Sequence, residues 1–105
     1  MPMTCEISQQ GTSVYLTLAG IIDEEGAATL KQQFAAIDSS IAKELVIDMG
    51  RVSQIGSSGI GKLLLFYKNM AARGGSVRLV SVPQPIFELF TELRLDTLFT
   101  MNAAA

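Results

Sequence analysis

Two hydroxyls with open space around them are the chemistry this chain offers. Ser57 and Ser58 stand in Ile55-Gly56-Ser57-Ser58-Gly59-Ile60-Gly61, between the apolar run Leu45-Val46-Ile47-Asp48-Met49 and a segment of helical periodicity that reaches about Ala72. The first N–H groups of a helix have no partner inside it, and the helix dipole is positive at that end. Ser57 therefore suits two roles, a helix cap or a carrier of phosphate whose charge the helix end accepts. Nucleophilic catalysis is a different matter. The chain has no histidine, so a Ser-His hydrolase is excluded and the commonest metal ligand is lacking. Its single cysteine, Cys5, can form no internal disulfide and no Cys/His zinc site, and reads as a small strand residue. Gly56, Gly59, Gly61 and Lys62 lack the Gly-x-x-x-x-Gly-Lys-Ser/Thr frame of a nucleotide loop. Composition argues against an enzyme, with no metal and no cofactor expected.

The elements that must position the serines follow from periodicity. Cys5-Glu6-Ile7 reads as a short strand and Gln9-Gln10-Gly11-Thr12 as a turn. Val14, Leu16 and Leu18 alternate with Tyr15 and Thr17, as in a half-buried strand, and Gly20 ends it. The two strands can pair as an antiparallel hairpin. Asp23 is a natural N-cap with Glu24 and Glu25 in the first turn. Ala27, Leu30, Phe34 and Ile37 recur at helical spacing, which gives a first helix over Glu24–Ile37 with Asp38-Ser39-Ser40 as its polar exit. Leu45–Met49 suits a central strand covered on at least one face, with Asp48 finishing it and satisfying turn amides. A second helix spans Ser58–Ala72 and stops at Arg73-Gly74-Gly75. Val77-Arg78-Leu79-Val80 is a further strand, Pro83 takes a first helical position, and Ile86, Leu89, Phe90 and Leu93 mark the apolar face of a third helix. Leu95–Phe99 fits strand or helix equally, and residues 102–105 read as a disordered tail. This order is α/β. It predicts one domain over residues 1–105, a mixed four- to five-stranded sheet with three to four helices and right-handed parallel crossovers.

The totals agree. With 105 residues, 49% of them apolar, the chain can fold alone. Eight basic and ten acidic residues leave a charge of −2 without a basic stripe, which argues against nucleic acid as a partner. The longest apolar run, Leu63 to Tyr67, is too short to cross a bilayer, and no signal-peptide pattern opens the chain. A cytoplasmic protein without membrane insertion is the simplest reading. On the second helix, steps of about 100° place Ile60, Leu63, Leu64, Tyr67 and Ala71 inward and leave Leu65 outward, near Ser58, Gly61 and Ala72. Leu65 is either part of a contact patch or a lone surface leucine.

Three segments in register resemble the STAS domains, in particular the bacterial anti-sigma factor antagonists. Ile47 to Gly61 is similar to the family's strand ending in Asp, short turn with Val, and Asp-Ser-Ser-Gly-Leu-Gly. Gly20-Ile21-Ile22-Asp23 is similar to its Gly-x-Leu-Asp, and Gly74-Gly75 precedes the expected strand Val77–Val80 and a helix ending near Leu95. The resemblance implies a STAS fold over essentially the whole chain and Ser57 as the phosphoacceptor. It implies that the unmodified protein binds an anti-sigma factor that is itself a serine kinase of the histidine-kinase-like ATPase fold. Phosphorylation would break that complex, and a metal-dependent serine phosphatase would restore it. Asp23, Gly56, Ser58, Gly59, Gly61 and Leu65 are the residues the resemblance places at the partner surface.

Gly56 departs from the pattern, because most antagonists carry aspartate there. The change removes a carboxylate and adds backbone freedom. It motivates an alternative, a constitutive STAS scaffold or accessory subunit of a stress-signalling assembly or lipid-transport complex. An enzyme or small-ligand sensor is a third reading, which no motif supports.

Overall fold

The computed structural model describes residues 3–37 and 40–104. The chain runs β1 (Thr4–Gln10), β2 (Ser13–Ile22), α1 (Glu24–Ala35), β3 (Glu44–Ile55), α2 (Ser57–Ala71), β4 (Ser76–Val82), α3 (Gln84–Glu92), a 3₁₀ turn (Leu95–Thr97) and β5 (Thr100–Ala103). Strands lie in the order β1-β2-β3-β4-β5. The β1–β2 pair is antiparallel and the other three pairs are parallel. Every parallel step moves the same way across the sheet, so right-handed crossovers put the helices on one face.

The core sits between that face and the helices. Val14, Leu16 and Leu18 of β2, Leu45, Ile47 and Met49 of β3, and Val77 and Leu79 of β4 pack with Leu30, Leu63, Phe66, Met70, Ile86 and Phe90 in one cluster. The opposite face is polar and thinly covered. Among the described residues its one well-buried apolar side chain, Val46, lies outside the main cluster, with Tyr15 and Arg78 beside it in register.

Several boundaries differ from the sequence expectation, each for a local reason. β1 continues to Gln10, because Gly11 at φ 61° allows a two-residue turn and returns Gln9 and Gln10 to the ladder. Gly20 does not end β2. At φ 95° it bends a strand that continues to Ile22, next to a shift in register with β3. β3 runs on past Met49 to Ile55 by taking up extra residues against β2: Thr17 faces Asp48 but Ala19 faces Arg51, and Gly20 faces Val52 but Ile21 faces Gln54. Asp48 does serve an amide as expected, accepting from Gly50 N–H at 2.9 Å beside the first bulge.

α1 ends at Ala35 rather than Ile37; Asp38 and Ser39 of its expected polar exit lie outside the described residues. Pro83 is the N-cap of α3, not its first residue, and Pro85 sits inside the first turn. Leu95–Phe99 resolves into the 3₁₀ turn and the approach to β5. The tail reading fails for its first residues. Asn102 and Ala103 belong to β5, and Ala104 N–H donates to the Val82 carbonyl at 2.9 Å; Ala105 lies outside the described residues.

Candidate functional site

The ends of β2 and β3 are tied together where the serines begin. Gly56 N–H donates to the carbonyl of Ile22 at 2.9 Å, which fixes the start of α2 to the last residue of β2. The next residue, Asp23, caps α1: its Oδ1 accepts from Gly26 N–H at 2.8 Å, as the sequence predicts. Asp23 and Gly56 therefore share one corner at the carboxyl ends of neighbouring parallel strands, where open α/β sheets leave a crevice.

Ser57 is not the cap of α2. Gly56 holds that position with extended backbone (φ −96°, ψ 179°) and no side-chain cap bond, so Ser57 is the first helical residue. The helix ladder begins one bond later, when Ile60 N–H donates to the Gly56 carbonyl at 3.1 Å. Ser57, Ser58 and Gly59 thus carry N–H groups without partners in the helix, and both hydroxyl residues are exposed. The conformation of Gly56 is one that any residue adopts. A Cβ there would meet only the Ile22 carbonyl oxygen, at 3.8 Å.

α2 is turned further toward α1 than its apolar pattern suggests. Its buried residues are Gly59, Leu63, Phe66 and Met70; Ile60, Leu64 and Tyr67 lie at the flank, and Ala71 is exposed. Phe66 sets this rotation by stacking on Phe34 of α1, with centroids 4.1 Å apart and planes at 10°. On the flank, Tyr67 meets Phe99 edge-on at 5.8 Å. The outward face carries Ser57, Ser58, Gly61, Leu65 and Lys68, all exposed. Leu65, 39% exposed, lies two turns from Ser57, about 12 Å along the axis. Gly61 faces open space.

Gly59 does not join this surface. It is buried, and a Cβ on it would lie 2.6 Å from Ile22 Cγ2 and 2.9 Å from Ile55 Cγ1. Its smallness serves close packing of α2 on the strand ends rather than access.

Beside Gly56 opens a cleft of ≈ 410 Å³, floored by Ile21, Ile55, Pro85, Ile86 and Leu89 and rimmed by Asp23, Ser53 and Gln54. Sequence periodicity assigned Ile86 and Leu89 to the core, and nothing local joined them to Ile21 and Ile55, which come from separate segments. The adjacent pair Ile21-Ile22 held a partial signal. Successive strand residues face opposite ways, so one of the two had to leave the core. Among the described residues no cluster of three or more His, Cys, Asp or Glu could hold a metal, and no helix is long and apolar enough to cross a membrane. Cys5 lies in β1 and does not line this cleft; burial, and secondarily the Glu6 carboxylate, push its thiol up from the ordinary 9.0.

Comparison with known proteins places this corner in a family. The family model described as "Mlab, STAS domain" matches residues 5–100. The anti-sigma-B factor antagonist of Bacillus subtilis is 24% identical over 103 residues, covering 98% of this chain and 94% of its own. An anti-sigma factor antagonist from Mycobacterium paratuberculosis superposes with a TM-score of 0.82 at 24% identity, over 95% of this chain and 85% of its own. The phosphorylated form of the Bacillus cell fate determinant SpoIIAA superposes with a TM-score of 0.77 at 20% identity, over 95% of this chain and 91% of its own. Matched by the family model over nearly its whole length, the chain belongs to the STAS domain family.

Proposed function

We propose that this protein is a non-enzymatic, cytoplasmic anti-sigma factor antagonist that switches partners through Ser57. Unmodified, it binds an anti-sigma factor serine kinase of the histidine-kinase-like ATPase fold. Phosphorylated on Ser57, it lets that kinase go, and a metal-dependent serine phosphatase resets it. One observation carries the reading. Ser57 is an exposed hydroxyl at the first position of α2, set between an apolar cleft and the outward Leu65, in a chain similar to antagonists of which one has been solved phosphorylated.

Magnitudes favour a switch of partner over a change of fold. A phosphoryl group brings about −1.5 to −2 charges and three acceptors. At the start of α2 the free N–H groups and dipole would stabilise it by about 0.3–1 kcal/mol, so the modified chain stays folded. Pressed into an interface with the apolar cleft and Leu65, the same dianion would lose its water, and such penalties reach several kcal/mol. A net 3 kcal/mol weakens binding by roughly a hundredfold.

The constitutive scaffold rests on Gly56. The extended backbone and free space there favour the switch instead. The Gly56 conformation is one aspartate can also adopt, with room for its Cβ, so the loop does not require glycine and the difference is a missing carboxylate. Titration of the kinase with the native chain and with Ser57→Asp tests the reading. Tight binding by the native chain and at least tenfold weaker binding by the variant is expected; equal binding by both would favour the scaffold.

A further inference from the structure

Among the described residues, no strand covers the free edge of the sheet at β1 (Thr4–Gln10). β1 pairs with β2 along its whole length without a register shift, and its other side ends the sheet. All its residues but Cys5 are exposed, and it contains neither proline nor lysine, with Glu6 as its single charge. Such a strand lacks the devices that usually blunt an edge: basic residues, proline, bulges or short length. The opposite edge has them in part, since β5 is only four residues long and its pairing with β4 is irregular.

The geometry points to a second copy of this chain as the occupant, with β1 pairing antiparallel to the partner's β1 about a two-fold axis at Ile7. The choice among registers is physical. Antiparallel pairing about Ile7 sets Thr4 against Gln10, Cys5 against Gln9, Glu6 against Ser8, and Ile7 against its own copy. Parallel in-register pairing, or antiparallel pairing about Glu6, would set glutamate against glutamate, and like charges directly opposite are destabilising. Pairing about Ser8 would leave Ile7 facing Gln9.

The Ile7 register also completes an apolar row. Ile7 pairs with Leu16 and shares its face, the one the helices cover, yet remains 37% exposed at the rim. The two-fold produces a continuous row Leu16–Ile7–Ile7–Leu16 across the joint and covers both isoleucines. On the other face, Ser8, which pairs with Tyr15, meets the partner's Glu6, which pairs with Thr17. The joined sheet has no exposed edge on this side. The cleft beside Gly56 is lined by β2, β3 and α3 and stays open, so the inference stands apart from the role of Ser57.

Sedimentation velocity of the native chain from micromolar to millimolar concentration tests it, beside Ile7→Lys, which would set two ammonium groups across the axis. Dimer mass for the native chain at the upper range is expected, with monomer mass for Ile7→Lys and an unchanged circular dichroism spectrum. The register is read separately by diamide oxidation. Paired residues on the axis have Cβ atoms about 4.5–5.5 Å apart, whereas the two Cys5 residues would be offset by about 14 Å along the strands. A Cys5→Ser, Ile7→Cys chain should therefore form an interchain disulfide, and the native chain should not. A native chain that stays monomeric throughout overturns the inference, as does an undiminished dimer of Ile7→Lys. Faster cross-linking through Cys5 than through Ile7→Cys also overturns it.

Discussion

Gly59 and Gly61, two residues apart on α2, should respond to the same substitution with opposite sign. Alanine in place of glycine within a helix gains about 0.5–1 kcal/mol by reducing the freedom of the unfolded chain. At Gly61 nothing lies within 4 Å of the new Cβ, so Gly61→Ala should show the whole gain. At Gly59 the new Cβ would lie 2.6 Å from Ile22 Cγ2 and 2.9 Å from Ile55 Cγ1. Ile22 is fully buried, β-branched and stiff, and its carbonyl holds Gly56, so it cannot swing aside. Overpacking of this kind costs about 1–3 kcal/mol, which outweighs the helix gain. The two variants should therefore differ by about 1–3 kcal/mol, or at least ~4 °C in Tm for a domain of this size. Urea and thermal unfolding followed by circular dichroism would measure it, with Gly61→Ala above the native chain and Gly59→Ala below. Equal shifts of the same sign would refute the close approach of α2 to the strand ends, and with it the placement of Ser57.

Gly56→Asp should raise stability by roughly 0.5–1 kcal/mol, since aspartate improves on glycine as a cap by a few tenths and its charge complements the helix dipole; a loss in urea denaturation would contradict the extended, uncrowded Gly56. Leu65→Asp should leave the unfolding midpoint nearly unchanged, because the side chain is 39% exposed, yet weaken kinase binding at least tenfold by calorimetry. Cys5 should alkylate with iodoacetamide more slowly than a free cysteine at neutral pH. Its thiol pKa is raised in the fold, so above 9.0 the unfolded chain releases that proton more readily than the folded one. The thermal midpoint of the native chain should then fall more steeply above that pH than that of Cys5→Ser, and parallel curves would refute the shift.

What the sequence discloses depends on how local the cause is. Asp23 was legible as a cap because capping needs only the residue and the amide three positions on, and the structure shows that bond. The strand-helix order was legible because Val14-Leu16-Leu18 and Leu45–Met49 carry their own periodicity. β3 beyond Met49 was hidden, since Arg51, Ser53 and Gln54 are exposed and only Val52 is buried, a pattern that two register shifts scramble. The rotation of α2 was hidden because it depends on Phe34 meeting Phe66, a contact between helices. Gly59 looked like part of an accessible loop and is instead a packing glycine, which becomes visible only once Ile22 and Ile55 are brought against it. The cleft beside Gly56 joins residues of β2, β3 and α3 with the junction residues Asp23 and Gly56, so no single stretch announces it.

The claim that this chain is switched at Ser57 is tested most directly by intact mass after incubation with ATP and an anti-sigma factor serine kinase that binds the native chain, repeated with Ser57→Ala. One phosphoryl group on the native chain and none on the variant is expected. An unmodified native chain, beside a control substrate that the same kinase does phosphorylate, would contradict it.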